Sequence, residues 1–127
     1  MYKSLELFQT AIAMARHAGA GQAVVARNIA NADTPGFRAQ HVNSFEGAYT
    51  GSSRSSQRAT RAGHMTGAES GMATARATAS SGEPSPNGNT VSLEEELLNS
   101  VAVSREHNQA LAIYRHTLTV LRTSLGK

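Results

Sequence analysis

The residue types of this chain that support chemistry are five histidines, several serines and a run of glutamates at 94–96. A helical zinc site places two histidines one turn apart, whereas His107 and His116 lie nine residues apart. Serine and histidine occur without a G-x-S-x-G pattern or another nucleophile signature. The glutamate run fits the solvated first turn of a helix better than a pair of catalytic carboxylates. We therefore predict that the protein is not an enzyme and has no catalytic residues, metal site or cofactor.

Composition excludes further classes of function. The chain has no cysteine, which removes disulfides, thiolate metal sites and cysteine nucleophiles together. Four arginines lie in its middle part: Arg54, Arg58, Arg61 and Arg76. A phosphate-binding arm would use such residues, but residues 51–90 contain no phenylalanine, tyrosine or tryptophan on which bases could stack. The net charge of +3 is also small. We interpret these arginines as scattered loop charge and expect no nucleic-acid partner.

Apolar segments long enough for a membrane are missing from the sequence. No stretch approaches the roughly 18 apolar residues that a spanning helix needs, so we expect a protein that does not span a membrane. The apolar run at 11–15 is shorter than the roughly 7–15 residues of a signal-peptide core. Any export is therefore expected to leave the N-terminus in place.

The first segment, residues 1–31, has the heptad spacing of a paired helix. Its predicted a and d positions include Leu5, Phe8, Ile12, Ala26 and Ile29. The seam between residues 15 and 26 is mostly small, which allows a partner helix to approach closely. The alternative is an ordinary amphipathic helix on a small bundle. We predict an N-terminal core helix with this seam.

The second segment, residues 32–90, loses the helical periodicity. Pro35 biases Thr34 away from the α region, and Pro35 with Gly36 suits a type II turn in which the glycine has a positive φ. Residues 51–90 are dominated by serine, threonine, glycine and alanine, which bury too little surface to offset the entropy of ordering them. We predict a turn and then a flexible middle, with a short extended stretch between them that is anchored by Phe37, Val42, Phe45 and Tyr49.

The third segment, residues 91–127, gives the clearest helix signal. Ser92 and Glu95 have the spacing of a capping box. The predicted seam includes Leu111, Leu118, Leu121 and Leu125. A helix of this length reaches roughly 50 Å, which is too long for so small a globule. The expected fold is therefore all-α: long N- and C-terminal helices pair as a coiled-coil-like hairpin around a flexible or partly extended middle segment.

The segment NIANADTPGFRA at residues 28–39 closely resembles the N-terminal signature of bacterial flagellar axial proteins. The signature residues are Asn28, Ile29, Asn31, Thr34, Pro35, Gly36 and Phe37. A second resemblance is to the C-terminal helix of FlgB-type rod proteins. The start of that helix looks like VSLEEE at 91–96, and its end looks like YR at 114–115 with LRT at 121–123. The short chain is also similar to the proximal rod proteins.

This resemblance implies a structural subunit of the proximal rod in the flagellar basal body. Such proteins are exported unprocessed through the flagellar type III apparatus and polymerise by helix packing in the periplasm. The implied partners are other rod subunits, membrane-ring and adaptor proteins, and the export apparatus. The seam residues are then expected to meet within the chain or on neighbouring subunits. The alternatives are the second proximal rod protein of the same family, or a basic nucleic-acid-binding helical protein.

Overall fold

A computed structural model describes residues 2–54, 75–80 and 82–126 of the chain. Its elements in chain order are helix α1 (Tyr2–Ala30), strand β1 (Gln40–Val42), helix α2 (Phe45–Arg54), strand β2 (Ala77–Ala79) and helix α3 (Leu93–Ser124). Residues 55–74, which form part of the segment predicted to be flexible, lie outside the described residues.

The two long helices, α1 and α3, pack against each other in antiparallel directions. Near one end, the rings of Phe8 and Tyr114 lie 4.6 Å apart between centroids. Further along α1, Gly21 faces Val103, which lies earlier in α3. The predicted fold, with long N- and C-terminal helices that pair, is confirmed.

Local signals explain where α3 begins and ends. Ser92 has an extended backbone, and its hydroxyl accepts a hydrogen bond from the Glu95 amide at 3.5 Å, as expected of an N-cap residue. At the other end, Gly126 has a φ of +72°, the left-handed conformation in which many helices terminate. The predicted N-cap is therefore confirmed.

The turn after α1 also follows the sequence signal. The Phe37 amide donates to the Thr34 carbonyl at 3.2 Å, which closes a four-residue turn. Gly36 has a φ of +72° at the third position of this turn, where a type II turn requires a positive value. The expectation for Pro35 and Gly36 is confirmed, and the chain then enters β1.

A two-stranded antiparallel ribbon lies beside α1. It pairs Gln40 with Ala79 and Val42 with Ala77, and β1 packs against α1 while every residue of β2 is exposed. The expected extended stretch is a strand at Val42. The same expectation is wrong for Phe45 and Tyr49, which lie in α2 because the Ser44 hydroxyl accepts from the Gly47 amide at 3.3 Å and caps a helix there. The strand that pairs with β1, residues 77–79, lies in the segment predicted to be flexible.

Candidate functional site

The end of α1 is tied to β1 by one buried amide side chain. Asn28 is fully buried, its Nδ2 donates to the Gln40 carbonyl at 2.6 Å, and its Oδ1 accepts from the Gln40 amide at 3.1 Å. The side chain thereby pairs with both polar backbone groups of one strand residue, as a neighbouring strand would. This explains in physical terms why the signature has asparagine here: alanine would leave two part-buried backbone groups without these partners.

A second buried amide, that of Asn89, closes the turn from the opposite side. Asn89 is 2% exposed, and its Nδ2 donates to the carbonyls of Asn31, Ala32 and Thr34 at 2.9, 2.7 and 2.9 Å. Its Oδ1 accepts from the Val91 amide at 2.7 Å. Carbonyls at a helix end have no partners within the helix, so Asn89 supplies donors to the C-terminal end of α1 and to the turn after it.

The chain segments on the two sides of this amide run beside each other. The Thr90 amide donates to the Phe37 carbonyl at 3.1 Å, and the Thr90 hydroxyl accepts from the Ala39 amide at 2.8 Å. Gly88, with a φ of +79°, would place a Cβ 3.5 Å from the Gly36 Cα. The turn that leaves α1 is therefore locked to the segment that enters α3, and one structural unit fixes both helix ends.

The signature residues fall into two groups by exposure. Asn28 is buried, and Asn31 and Phe37 are half-buried. The remaining signature residues are exposed: Ile29, Thr34, Pro35 and Gly36. Sequence reasoning identified this signature but not Asn89, although the turn-forming run of Asn and Gly at 87–89 marked a structured point shortly before α3.

The α1 residues buried within the chain lie one position before several of the predicted seam residues. Ala11, Ala18 and Val25 are buried at heptad spacing, whereas Ala26 and Ile29 are exposed. Two other predicted residues, Phe8 and Ile12, are half-buried. The side chain of Leu5 lies outside the described residues. The predicted role of these positions in assembly with other subunits stays a prediction.

On α3 the predicted seam leucines lie beside the buried face rather than at its centre. Leu111, Leu118 and Leu121 are half-buried, and Leu125 is 71% exposed. The buried residues of α3 are Glu96, Ala110 and Thr117. The structure does bring Ile12 and Leu111 together, because both line one hollow between α1 and α3. Small side chains thus occupy the closest approach, with larger ones at its margins.

The outer side of α3 carries a row of exposed apolar side chains, which we call the outer leucine face. Its members are Leu93, Leu97, Leu98 and Val101, which are 51%, 61%, 72% and 59% exposed. They recur at three- and four-residue spacing, so they lie on adjacent turns of one helix. Contiguous exposed apolar residues of this kind mark interaction sites.

Groups for other chemistry are not assembled in the part of the chain that the structure describes. No three histidine, aspartate or glutamate side chains are placed to hold a metal ion there. Within the same residues, no helix is both long and apolar enough to cross a membrane. Of the arginine cluster, Arg76 is exposed, while Arg58, Arg61 and the side chain of Arg54 lie outside the described residues.

These features define a class: a helical hairpin with a hydrogen-bonded turn and an exposed apolar face on its second long helix. Residues 9–38 match the family model described as Flagella basal body rod protein, a span that runs from α1 through the turn signature. No curated protein matches the chain significantly. This match covers about a quarter of the chain and supports a flagellar basal-body rod protein, whose place is in the rod of the basal body. The family is one of structural components, not of enzymes.

Proposed function

We propose that this chain is a proximal rod subunit of the FlgB type, exported without processing and built into the rod by helix–helix packing. The rod family match supports the coarse role. The similarity of residues 91–96 and 114–123 to the C-terminal helix of FlgB-type proteins supports the finer one. The alternative within the family is the second proximal rod protein.

The outer leucine face is the observation that carries the assembly role. Within the chain, α1 covers the opposite side of α3, where Ala110 and Thr117 are buried. Leu97 and Leu98 are left more than half exposed, and fully burying such side chains contributes about 1.5–3 kcal/mol each. A subunit that packs this face against a neighbour gains that free energy only in the assembled rod.

The proposed partners follow from this role. Other rod subunits are expected to cover the outer leucine face. The membrane-ring and adaptor proteins of the basal body are expected to contact a proximal subunit at its base. The flagellar export apparatus delivers the chain to the periplasmic rod, and we expect the N-terminal residues of α1 to be retained in the exported protein.

A complementation experiment tests the assembly role. In cells that lack the chromosomal copy, the variant Leu97→Gln with Leu98→Gln is expected to be exported but to build no rod, which leaves the cells non-motile. The isolated variant should retain its helical content, because exposed substitutions change stability by about 0.5 kcal/mol or less. The matched control is Glu95→Gln, an exposed α3 residue whose side chain projects to a different side of the helix from Leu97. Normal rods in the double variant would contradict the proposal.

The position within the rod needs a separate measurement. Basal bodies isolated from cells that carry an epitope-tagged chain are expected to show the tag at the base of the rod, next to the membrane ring. Mass spectrometry of the exported chain should detect a peptide that includes the original N-terminus. A tag in the distal rod would overturn the proximal assignment while leaving the rod family intact.

A further inference from the structure

A cavity of about 140 Å³ with a mixed polar and apolar lining lies between α1, β1 and α3. It is separate from the outer leucine face and from the turn held by Asn89. Valine, alanine and glycine form part of its lining, and the polar residues that line it are His17, Gln40, His41, Asn43, Ser44, Glu96, Asn99 and Glu106. A space of this size holds several water-sized groups, and it is therefore large enough for the polar head of one side chain.

Two of the lining side chains are buried, and each has one polar atom without a hydrogen-bond partner. His17 is 5% exposed and Glu96 is 6% exposed. Among the residues that the structure describes, neither His17 Nε2 nor Glu96 Oε2 has a hydrogen-bond partner. Burial of an unpaired polar group costs free energy, and a buried charge is ordinarily paired. This contrasts with Asn28 and Asn89, whose buried amides are hydrogen-bonded.

The positions of these two groups are fixed by their neighbours. The ring of Phe45 approaches that of His17 edge-on, with 5.7 Å between centroids. Glu96 lies one turn into α3, after the N-cap at Ser92. Both side chains are therefore presented by well-defined backbone, which makes the cavity a formed site.

The chemistry of the lining favours a cation. A carboxylate only accepts hydrogen bonds, and Glu106 adds a second carboxylate on the same cavity wall. Water would satisfy the Glu96 oxygen but leave its charge unpaired, whereas a charge-assisted hydrogen bond is roughly twice as strong as a neutral one. A metal ion is disfavoured, because no three ligands are suitably placed among the described residues.

We propose that this cavity receives the cationic head of an arginine or lysine side chain from a neighbouring rod subunit. The inference rests on the proposed assembly function. His41, Asn99 and Glu106 line the cavity and are exposed, so the cavity opens to the surface where a neighbour can reach it. A second copy of this chain carries ample basic side chains, since twelve of its residues are lysine or arginine.

The first test compares two glutamates of the same helical turn. Glu96→Gln removes the buried charge and is expected to reduce the number of rods per cell by about tenfold, as expected for the loss of roughly 1.4 kcal/mol at the contact. The melting temperature of the isolated variant should be unchanged or higher, because a buried unpaired charge is removed. Glu94→Gln removes the same charge from an exposed position and should preserve both assembly and melting temperature.

Two results of this comparison would overturn the proposal. Wild-type rod numbers in Glu96→Gln would mean that water or a free cation fills the cavity. A lower melting temperature in the isolated Glu96→Gln protein would mean that the carboxylate serves the fold of the single chain. Failure of the wild-type chain and of Glu94→Gln to enter rods would instead refute the proposed function itself.

A second test identifies the source of the cation. A photo-crosslinking amino acid at Asn99, an exposed residue of the cavity wall, is expected to capture a lysine- or arginine-containing peptide of another subunit in assembled rods. The same probe at Asn108, exposed on α3 outside this cavity, should not capture that peptide. Methylguanidinium is a free cation that could also fill the cavity. If it stabilises the isolated wild-type protein but not Glu96→Gln, and no such cross-link forms in rods, the cavity binds a free cation and the proposal is overturned.

Discussion

The exchange of Asn89 for aspartate separates the donor role of this side chain from its size and shape. The Asn89 Nδ2 donates to three backbone carbonyls, at 2.7–2.9 Å. Aspartate has the same shape but offers no N–H, so the carbonyls lose their donor and face a carboxylate. Each buried polar group left unsatisfied costs about 1–3 kcal/mol. The amide group has two N–H bonds, which the three carbonyls share. At about 2 kcal/mol for each lost donor, we expect Asn89→Asp to lower the free energy of unfolding by about 4 kcal/mol.

Asn87→Asp provides a matched control two residues away. The Asn87 Oδ1 accepts from the Asn89 amide at 3.0 Å, and aspartate retains that acceptor. Both variants add one negative charge to the same loop. Only Asn89→Asp removes the donors to the part-buried carbonyls of the turn, so we expect Asn87→Asp to change stability by no more than about 0.5 kcal/mol.

Urea denaturation of the full chain, followed through the helical circular-dichroism signal, measures the difference in unfolding free energy between the two variants. With a slope of about 2 kcal/mol per molar urea, Asn89→Asp should lower the midpoint by about 2 M relative to Asn87→Asp. Protonation restores one donor to the new carboxyl, which raises its folded-state pKa above the ordinary value of about 3.9. The loss should therefore be full above that folded-state pKa and shrink as the pH falls through it. Equal midpoints for the two variants would refute the donor role of Asn89.

Two further predictions concern the helix pair. Gly19→Ala should stabilise the chain by about 1 kcal/mol through helix propensity, because a Cβ there meets nothing within 4 Å. Gly21→Leu should destabilise the chain by about 1–3 kcal/mol, because even a Cβ lies 3.2 Å from the side chain of Val103. Thermal melting of the two variants tests whether the two stability changes have opposite signs. Leu118→Asp with Leu121→Asp places charge on two half-buried positions and should abolish rods and motility in complemented cells while export continues. The control Thr119→Gln, at an exposed position, should be tolerated. Flagella in the double variant would show that no neighbouring subunit covers these leucines.

Local signals in the sequence were sufficient to predict the helix ends. Ser92 and Glu95 marked the start of α3, and Pro35 with Gly36 marked the turn after α1. Each signal acts within four residues, through a hydrogen bond or a backbone restriction that the residue type itself determines. Such information does not depend on what the rest of the chain does, which is why these expectations are confirmed.

Long-range contacts could not be predicted in the same way. Asn89 reaches carbonyls 55–58 residues earlier in the chain, and nothing local specifies that pairing. Each strand of the ribbon has three residues, which is too short for an alternating pattern to be recognised. The cavity between α1, β1 and α3 could not be predicted either, because His17 and Glu96 lie 79 positions apart in the sequence and line the same cavity only in the folded hairpin.

On α1 the buried residues lie one position before the predicted seam residues, and this difference has a physical cause that bears on assembly. Heptad reasoning gives most weight to large apolar residues such as Ile29, whereas the closest helix approach selects small ones. Gly21 and Ala110 allow α1 and α3 to pack tightly, and larger side chains do not fit at that distance.

The hairpin therefore buries mostly small side chains between its own helices and leaves Leu97 and Leu98 outside, unlike an ordinary globular core. Alanine contributes little apolar area, and the roughly 25 cal/mol per Å² of buried apolar surface is correspondingly small within one chain. The unburied apolar area of Leu97, Leu98 and Val101 yields its free energy only when another surface covers it. Because a contact that repeats from subunit to subunit gives that gain at every copy, we expect assembly to add to the stability that the single chain already has. Close packing of the two helices requires small residues between them, and the large apolar residues are left on the outside for contacts with other subunits.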